Sequence, residues 1–256
     1  MKTTMNRMTH DMIILALMAL LSLTAVKKVH ADDIHKGMRG PTMFQLHSQG
    51  TYARNEKGLQ TLGTNAILKY WTGDELGIWG YANIPYRHKS MGDATSSGFG
   101  DINVAIGPRG RWGDLHWKGY GGLALPTGNP DDRPPGGNGR WDSTLGAIVT
   151  YLAPSGNWEL SGDVKRTWTG DGEQGNPPDE LYASLLGGLQ PIDRLWAATG
   201  PTMMRKDNGD YNVEWMLAIR YTPSKTWAFQ VVGKTSIAGE EIPSGTSAQG
   251  QVRFNF

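Results

Sequence analysis

Ten charged side chains in this sequence stand where they could line a polar wall: Lys69, Lys118, Lys165, Arg220, Lys234 and Arg253 as cations, and Asp101, Glu159, Asp163 and Glu214 as anions. Each belongs to a segment of alternating polarity, so all ten share one face if those segments are strands. A face carrying both signs can pair its charges, hold water or guide a charged solute. Its mixed sign predicts weak ion preference. Glu214 and Lys234 come nearly opposite each other if the turn at Pro223-Ser224 is tight.

The remaining reactive residues form no constellation. His47 and Ser48 are adjacent, and adjacent strand residues point to opposite faces, which keeps the imidazole from acting as base for the hydroxyl. Gly136-Gly137-Asn138-Gly139 has no Gly-Lys-Ser/Thr and no following helix to cradle a phosphate. Asp131-Asp132 beside Asn129 falls short of the ligand count that calcium requires. The chain has no cysteine, which removes disulfides and thiolate zinc sites. No catalytic residue, metal or cofactor is expected.

The elements that must carry the ten charges read as strands. Ala248, Gly250, Val252, Phe254 and Phe256 alternate with Gln249, Gln251, Arg253 and Asn255. Tyr211, Val213, Trp215, Leu217, Ile219 and Tyr221 alternate in the same way with more polar neighbours. Period two is the signature of a strand, and helical spacing is missing. About twelve strands are predicted, near 42–52, 59–71, 75–87, 98–108, 114–126, 142–153, 157–168, 179–190, 193–205, 210–222, 225–236 and 246–256, with ends uncertain by about two to four residues. Pro201 is awkward in the ninth, because proline cannot donate to a ladder.

Short connections near 72–74, 109–113, 154–156, 191–192 and 223–224 alternate with longer polar ones at 53–58, 88–97, 127–141, 169–178, 206–209 and 237–245. A membrane barrel sorts its connections in this way, with short periplasmic turns and longer external loops. Trp71, Trp112, Trp158, Trp196 and Trp227 each lie at a different short turn, which predicts an aromatic girdle at the membrane–water interface. Trp141 and Trp168, at the opposite strand ends, suit an outer girdle. In hydrocarbon, strands are acceptable only when every backbone polar group is paired, so the sheet must close. The fold class is therefore all-β: a closed antiparallel transmembrane β-barrel of about twelve strands.

Residues 1–31 read as a secretory signal peptide, with Lys2 and Arg7 first, an apolar run over 12–26, and Val29-His30-Ala31 at the cut. Cleavage leaves 32–256 as one barrel domain. It removes four cations (Lys2, Arg7, Lys27, Lys28) and one anion (Asp11), turning a net charge of +1 into −2. That balance, with no basic stripe, argues against nucleic acid as a partner. The expected location is the outer membrane of a Gram-negative bacterium, with lipid bilayer and lipopolysaccharide as surroundings. A last strand ending on Phe256 resembles the signal read by the barrel-assembly machinery.

One family resemblance rests on Gly98-Phe99-Gly100-Asp101-Ile102 and on Leu125-Pro126-Thr127-Gly128, followed by the glycines 136, 137 and 139 and by Trp141-Asp142. In their order and spacing these residues resemble the family of outer-membrane transporters named for the meta-pathway of phenol degradation. The resemblance implies a barrel that transports small aromatic or hydrophobic compounds, with Gly98, Gly100, Asp101, Pro126, Thr127 and Gly128 as motif positions. It does not identify the solute. The functional expectation is a channel passing small solutes through a narrow charge-lined lumen. The alternatives are a lipid-hydrolysing outer-membrane enzyme and a structural barrel without transport.

Overall fold

The computed structural model describes residues 42–73, 75–171, 177–242 and 244–255. The expected signal peptide and the terminal Phe256 lie outside them. Thirteen strands follow one another: β1 (Thr42–Asn55), β2 (Gln60–Thr72), β3 (Leu76–Met91), β4 (Ala94–Phe99), β5 (Ile102–Trp112), β6 (Leu115–Leu125) and β7 (Asp142–Leu152). They continue as β8 (Trp158–Thr169), β9 (Glu180–Ile192), β10 (Leu195–Lys206), β11 (Tyr211–Tyr221), β12 (Trp227–Glu240) and β13 (Gly245–Asn255).

Consecutive strands pair antiparallel except β4 and β5, and β1 pairs with β13 from Gln45↔Asn255 to Asn55↔Gly245. That pairing closes the sheet. Twelve strands form the closed barrel, and β4 is the extra one. β3 is long enough to hold two partners in succession: β5 along Leu76–Asn83, then β4 along Tyr86–Met91. Pro85, almost fully buried, marks the handover, where a missing N–H costs least.

This arrangement corrects two boundaries. Residues 88–97, expected as loop, extend β3 and turn back into β4 through Gly92 in the left-handed region (φ 60°). The fourth barrel strand starts at Ile102 rather than 98, because the chain breaks at Gly100-Asp101. The awkward Pro201 is accommodated by a gap: its side toward β11 pairs with Trp215, while the ladder to β9 passes from Thr199↔Gly187 to Thr202↔Ser184.

Alternation divides the residues cleanly. Leu68, Ile78, Leu123, Leu145, Leu160, Leu185, Leu217 and Val231 stand exposed on the outward face. Inward lie small packed groups, Trp71–Trp79–Ala105–Tyr120 on one side and Trp196–Ala198–Ala218–Val232 on the other. An apolar outer surface around a polar, aromatic interior is the arrangement of a transmembrane barrel.

Candidate functional site

The inner wall near the short-turn rim is built by strand parity. On β2, Lys69 and Trp71 occupy adjacent inward positions, so they share a face. Trp71 is paired directly with Trp79 of β3. Across the barrel, Trp196 of β10 is paired with Arg220 of β11, whose guanidinium lies 4.9 Å from the indole centroid. The Lys118 ammonium sits 5.1 Å from the centroid of Trp79. Such contacts contribute about 0.5–1 kcal/mol when wet and about 2 when desolvated. They fix both long cations against ring faces.

These residues surround one cavity of about 340 Å³, lined by Lys69, Trp71, Trp79, Arg109, His116, Lys118, Glu159, Trp196, Arg220 and Arg253 among others. Its charge is unbalanced. Arg109 and Lys118 stand directly opposite one another on β5 and β6. Arg220 and Arg253 both donate to the Gln230 amide oxygen, at 3.0 and 2.6 Å. Among the described residues Lys69, Lys118 and Arg253 enter no ion pair. Glu159, buried beside the Trp196 indole above Gly188, is the one carboxylate among the described residues of the lining; a Cβ on that glycine would lie 2.7 Å from the Glu159 side chain.

Above the cavity the wall changes character. Lys165 of β8 and Lys234 of β12 point at the Tyr182 ring from 5.0 and 5.8 Å. Asp163 lies inward on the same strand as Lys165, and Lys234 meets Glu214 at 3.5 Å. That pair is diagonal, since Lys234 lies opposite Met216 and Glu214 opposite Ser236, in a register that runs unbroken from Tyr221↔Phe229. Tyr81 and Tyr120 continue the rings upward from Trp79 at 5.8 and 5.6 Å. The Tyr120 ring lies over Gly146, where a Cβ would approach it to 2.4 Å.

At the long-loop rim the expected motif residues come together. Thr127 Oγ1 donates to the Gly100 carbonyl and accepts from the Ile102 N–H, both at 3.0 Å. The Asp101 carboxylate accepts from the backbone N–H of Gly128 at 3.0 Å and of Asn138 at 2.8 Å. Lys89 donates to the Pro135 carbonyl at 2.5 Å, and Ser96 bonds the Pro134 carbonyl. The loop over 126–141 is thus stapled to β3, β4 and the strand break. Asp101 is engaged in this staple and is not among the residues lining the cavity below, where the charge pattern had placed it. Pro126 and Gly98 flank it, and the Asn129 amide caps Asp132 within the loop at 2.7 Å.

The girdle needs correction. Trp112, Trp158 and Trp227 stand exposed on the outward face, with Trp117 beside Trp112 at 5.7 Å and Phe254 beside Trp227 at 4.8 Å. Trp71 and Trp196 do not join them; they are 5 % and 7 % exposed and line the interior. Nearness to a turn was a weaker guide than parity, for Trp71 follows Lys69 by two residues and must share its side. Trp141 and Trp168 are exposed at the opposite rim. Sequence reasoning missed Trp79, Arg109 and His116 altogether. Arg109 falls one residue beyond the expected strand end at 108, and Trp79 lies within the expected strand 75–87 but carries no charge to draw it into the ten-residue wall.

Two carboxylates at the long-loop rim are held in their charged form. Hydrogen bonds from Ser244 keep Glu56 below the ordinary carboxylate range, joining the first and last loops across the closure seam. The Thr169 N–H does the same for Asp179, aided by Arg166, which also binds Asp207.

No family model and no curated protein matches the sequence. Solved structures do match it. An outer membrane channel from Pseudomonas putida F1 superposes with a TM-score of 0.70 at 18% identity, over 85% of this chain and 96% of that one. KdgM porin gives 0.58 at 5% identity over 83% and 99%, and the translocator domain of the autotransporter NalP from Neisseria meningitidis gives 0.56 at 13% over 99% and 98%. At such identities the likeness is one of fold. Outer-membrane barrels, channels and porins among them, are the structures this chain resembles.

Proposed function

We propose that the chain is an outer-membrane channel passing small solutes through a narrow, charge-lined lumen. The observation that carries this reading is the cavity between Trp79–Lys118 on one wall and Trp196–Arg220 on the other. A structural barrel of this girth would gain more from an apolar or fully paired filling than from uncompensated buried cations. Lys69, Lys118, Glu159, Arg220 and Arg253 form the lower part of the path, and Asp163, Lys165, Glu214 and Lys234 the part above it. Fold likeness to an outer membrane channel and a porin supports the reading.

The finer parts follow from it. The rings along the wall suit aromatic compounds, as membership of the phenol meta-pathway family would imply. The outward leucines meet lipid, the external loops meet lipopolysaccharide, and the last strand engages the assembly machinery in a Gram-negative outer membrane. Purified protein inserted into planar bilayers tests the central part: discrete conductance steps are expected, and a barrel that stays closed to ions and to small solutes in liposome swelling overturns it.

A further inference from the structure

Resting on that reading, we propose that the lower cavity is a selectivity site for a small aromatic carboxylate, a single flat ring bearing one anionic group. The charge lining it departs from the balanced wall that the sequence suggested. Among the described residues five cations (Lys69, Arg109, Lys118, Arg220 and Arg253) converge there with one carboxylate, Glu159, and Lys69, Lys118 and Arg253 enter no ion pair. Arg109 opposite Lys118 is a like-charge cross-strand pair, which adds to the positive potential at this level of the wall.

The ring requirement comes from the other lining groups. Trp71 and Trp79 form a cross-strand indole pair, and Trp196 faces them with the opposite wall. The Nε1–H groups of Trp71 and Trp79 are buried without an acceptor. A flat ring beside these indoles gains edge-to-face or offset contacts. The volume, near the low end of the range of about 300–1,000 Å³ usual for small-molecule sites, suits one ring rather than an oligosaccharide. A cationic aromatic would meet repulsion, since Lys118 and Arg220 already cover the ring faces. A neutral phenol would leave the charges of Lys69, Lys118 and Arg253 unmatched, and an aliphatic carboxylate would offer the Trp71 and Trp79 rings no aromatic contact.

Tryptophan fluorescence of the detergent-purified protein, titrated with sodium benzoate, benzyl alcohol and sodium cyclohexanecarboxylate, tests the site apart from transport. Saturable benzoate binding at least about tenfold tighter than either comparison ligand is expected, an advantage of about 1.4 kcal/mol. In the double variant Lys118→Gln, Arg220→Gln, benzoate should bind at least about tenfold more weakly while benzyl alcohol is unaffected. Equal binding of all three ligands by the unaltered protein, or no saturable change with benzoate, overturns the proposal whether or not the variant folds. Conductance without benzoate binding would sink the site and leave the channel; benzoate binding without conductance would sink the channel and leave the site.

Discussion

Trp71 and Trp79 face each other across the β2–β3 ladder on the inner wall, and the Lys118 ammonium rests 5.1 Å from the centroid of the second ring. The indoles narrow the barrel and also hold the cation in place. Trp79→Ala removes the ring and its cation–π contact together. We expect single-channel conductance to rise above the unaltered value. Stability should fall by about 3 kcal/mol, toward the low end for a buried tryptophan because water can fill the vacated space. Bilayer recording and the shift in heat-modifiable gel mobility measure the two effects.

The lower cavity should set ion preference. Replacing both Lys118 and Arg220 by glutamate changes the local charge from a clear cationic excess to an even balance, three cations against three carboxylates. In a potassium chloride gradient the reversal potential of the unaltered channel should indicate anion preference, and the double variant should move toward cations. A reversal potential near zero in both proteins would favour the weak preference suggested by the ten-residue wall alone.

Asp101 holds the 126–141 loop through two backbone N–H groups, Gly128 and Asn138. Asp101→Asn keeps one acceptor oxygen and loses the charge, costing about 1 kcal/mol; Asp101→Ala loses both bonds and costs about 2–3. Protease cleavage within 126–141 should accelerate in that order. Thr127→Val, which removes the bond to the Gly100 carbonyl, should resemble the asparagine variant.

Acid should loosen the external rim. Glu56 and Asp179 titrate below the ordinary range in the folded chain, so their charged forms add stability at neutral pH. That contribution is complete above the unfolded carboxylate value, about 4, and is lost as the pH falls through the depressed folded value. Amide exchange at Glu56 and Thr169 should therefore speed up near about pH 3 relative to the strand interiors. Ser244→Ala should produce the Glu56 part of this change at neutral pH.

Much of this was legible from polarity alone. Wherever one face meets lipid and the other water, alternation is sharp, and β11 and β13 emerged within a residue of their observed starts. The β3–β4 hairpin was not legible for the same reason reversed. Beyond the apolar belt both of its faces meet water, so residues such as Lys89, Ser90, Thr95 and Ser96 carry no period. The site was legible as a face but not as a place. Parity assigned Lys69 and Arg220 to one side, yet gathering them with Arg109 around three indoles depends on closure of β1 onto β13, which brings distant strands together. The motif around Asp101 was visible as a pattern, while its role as a staple required the loop's path.

The absence of cysteine allows the central claim to be tested position by position. Lys118→Cys places a thiol on the inner wall, and Leu160→Cys places one on the apolar outer face. Bilayer current is recorded while a charged, membrane-impermeant thiol reagent is added. The account predicts a stepwise fall in current for the first variant and no change for the second. Equal effects, or a response at position 160 alone, would contradict it.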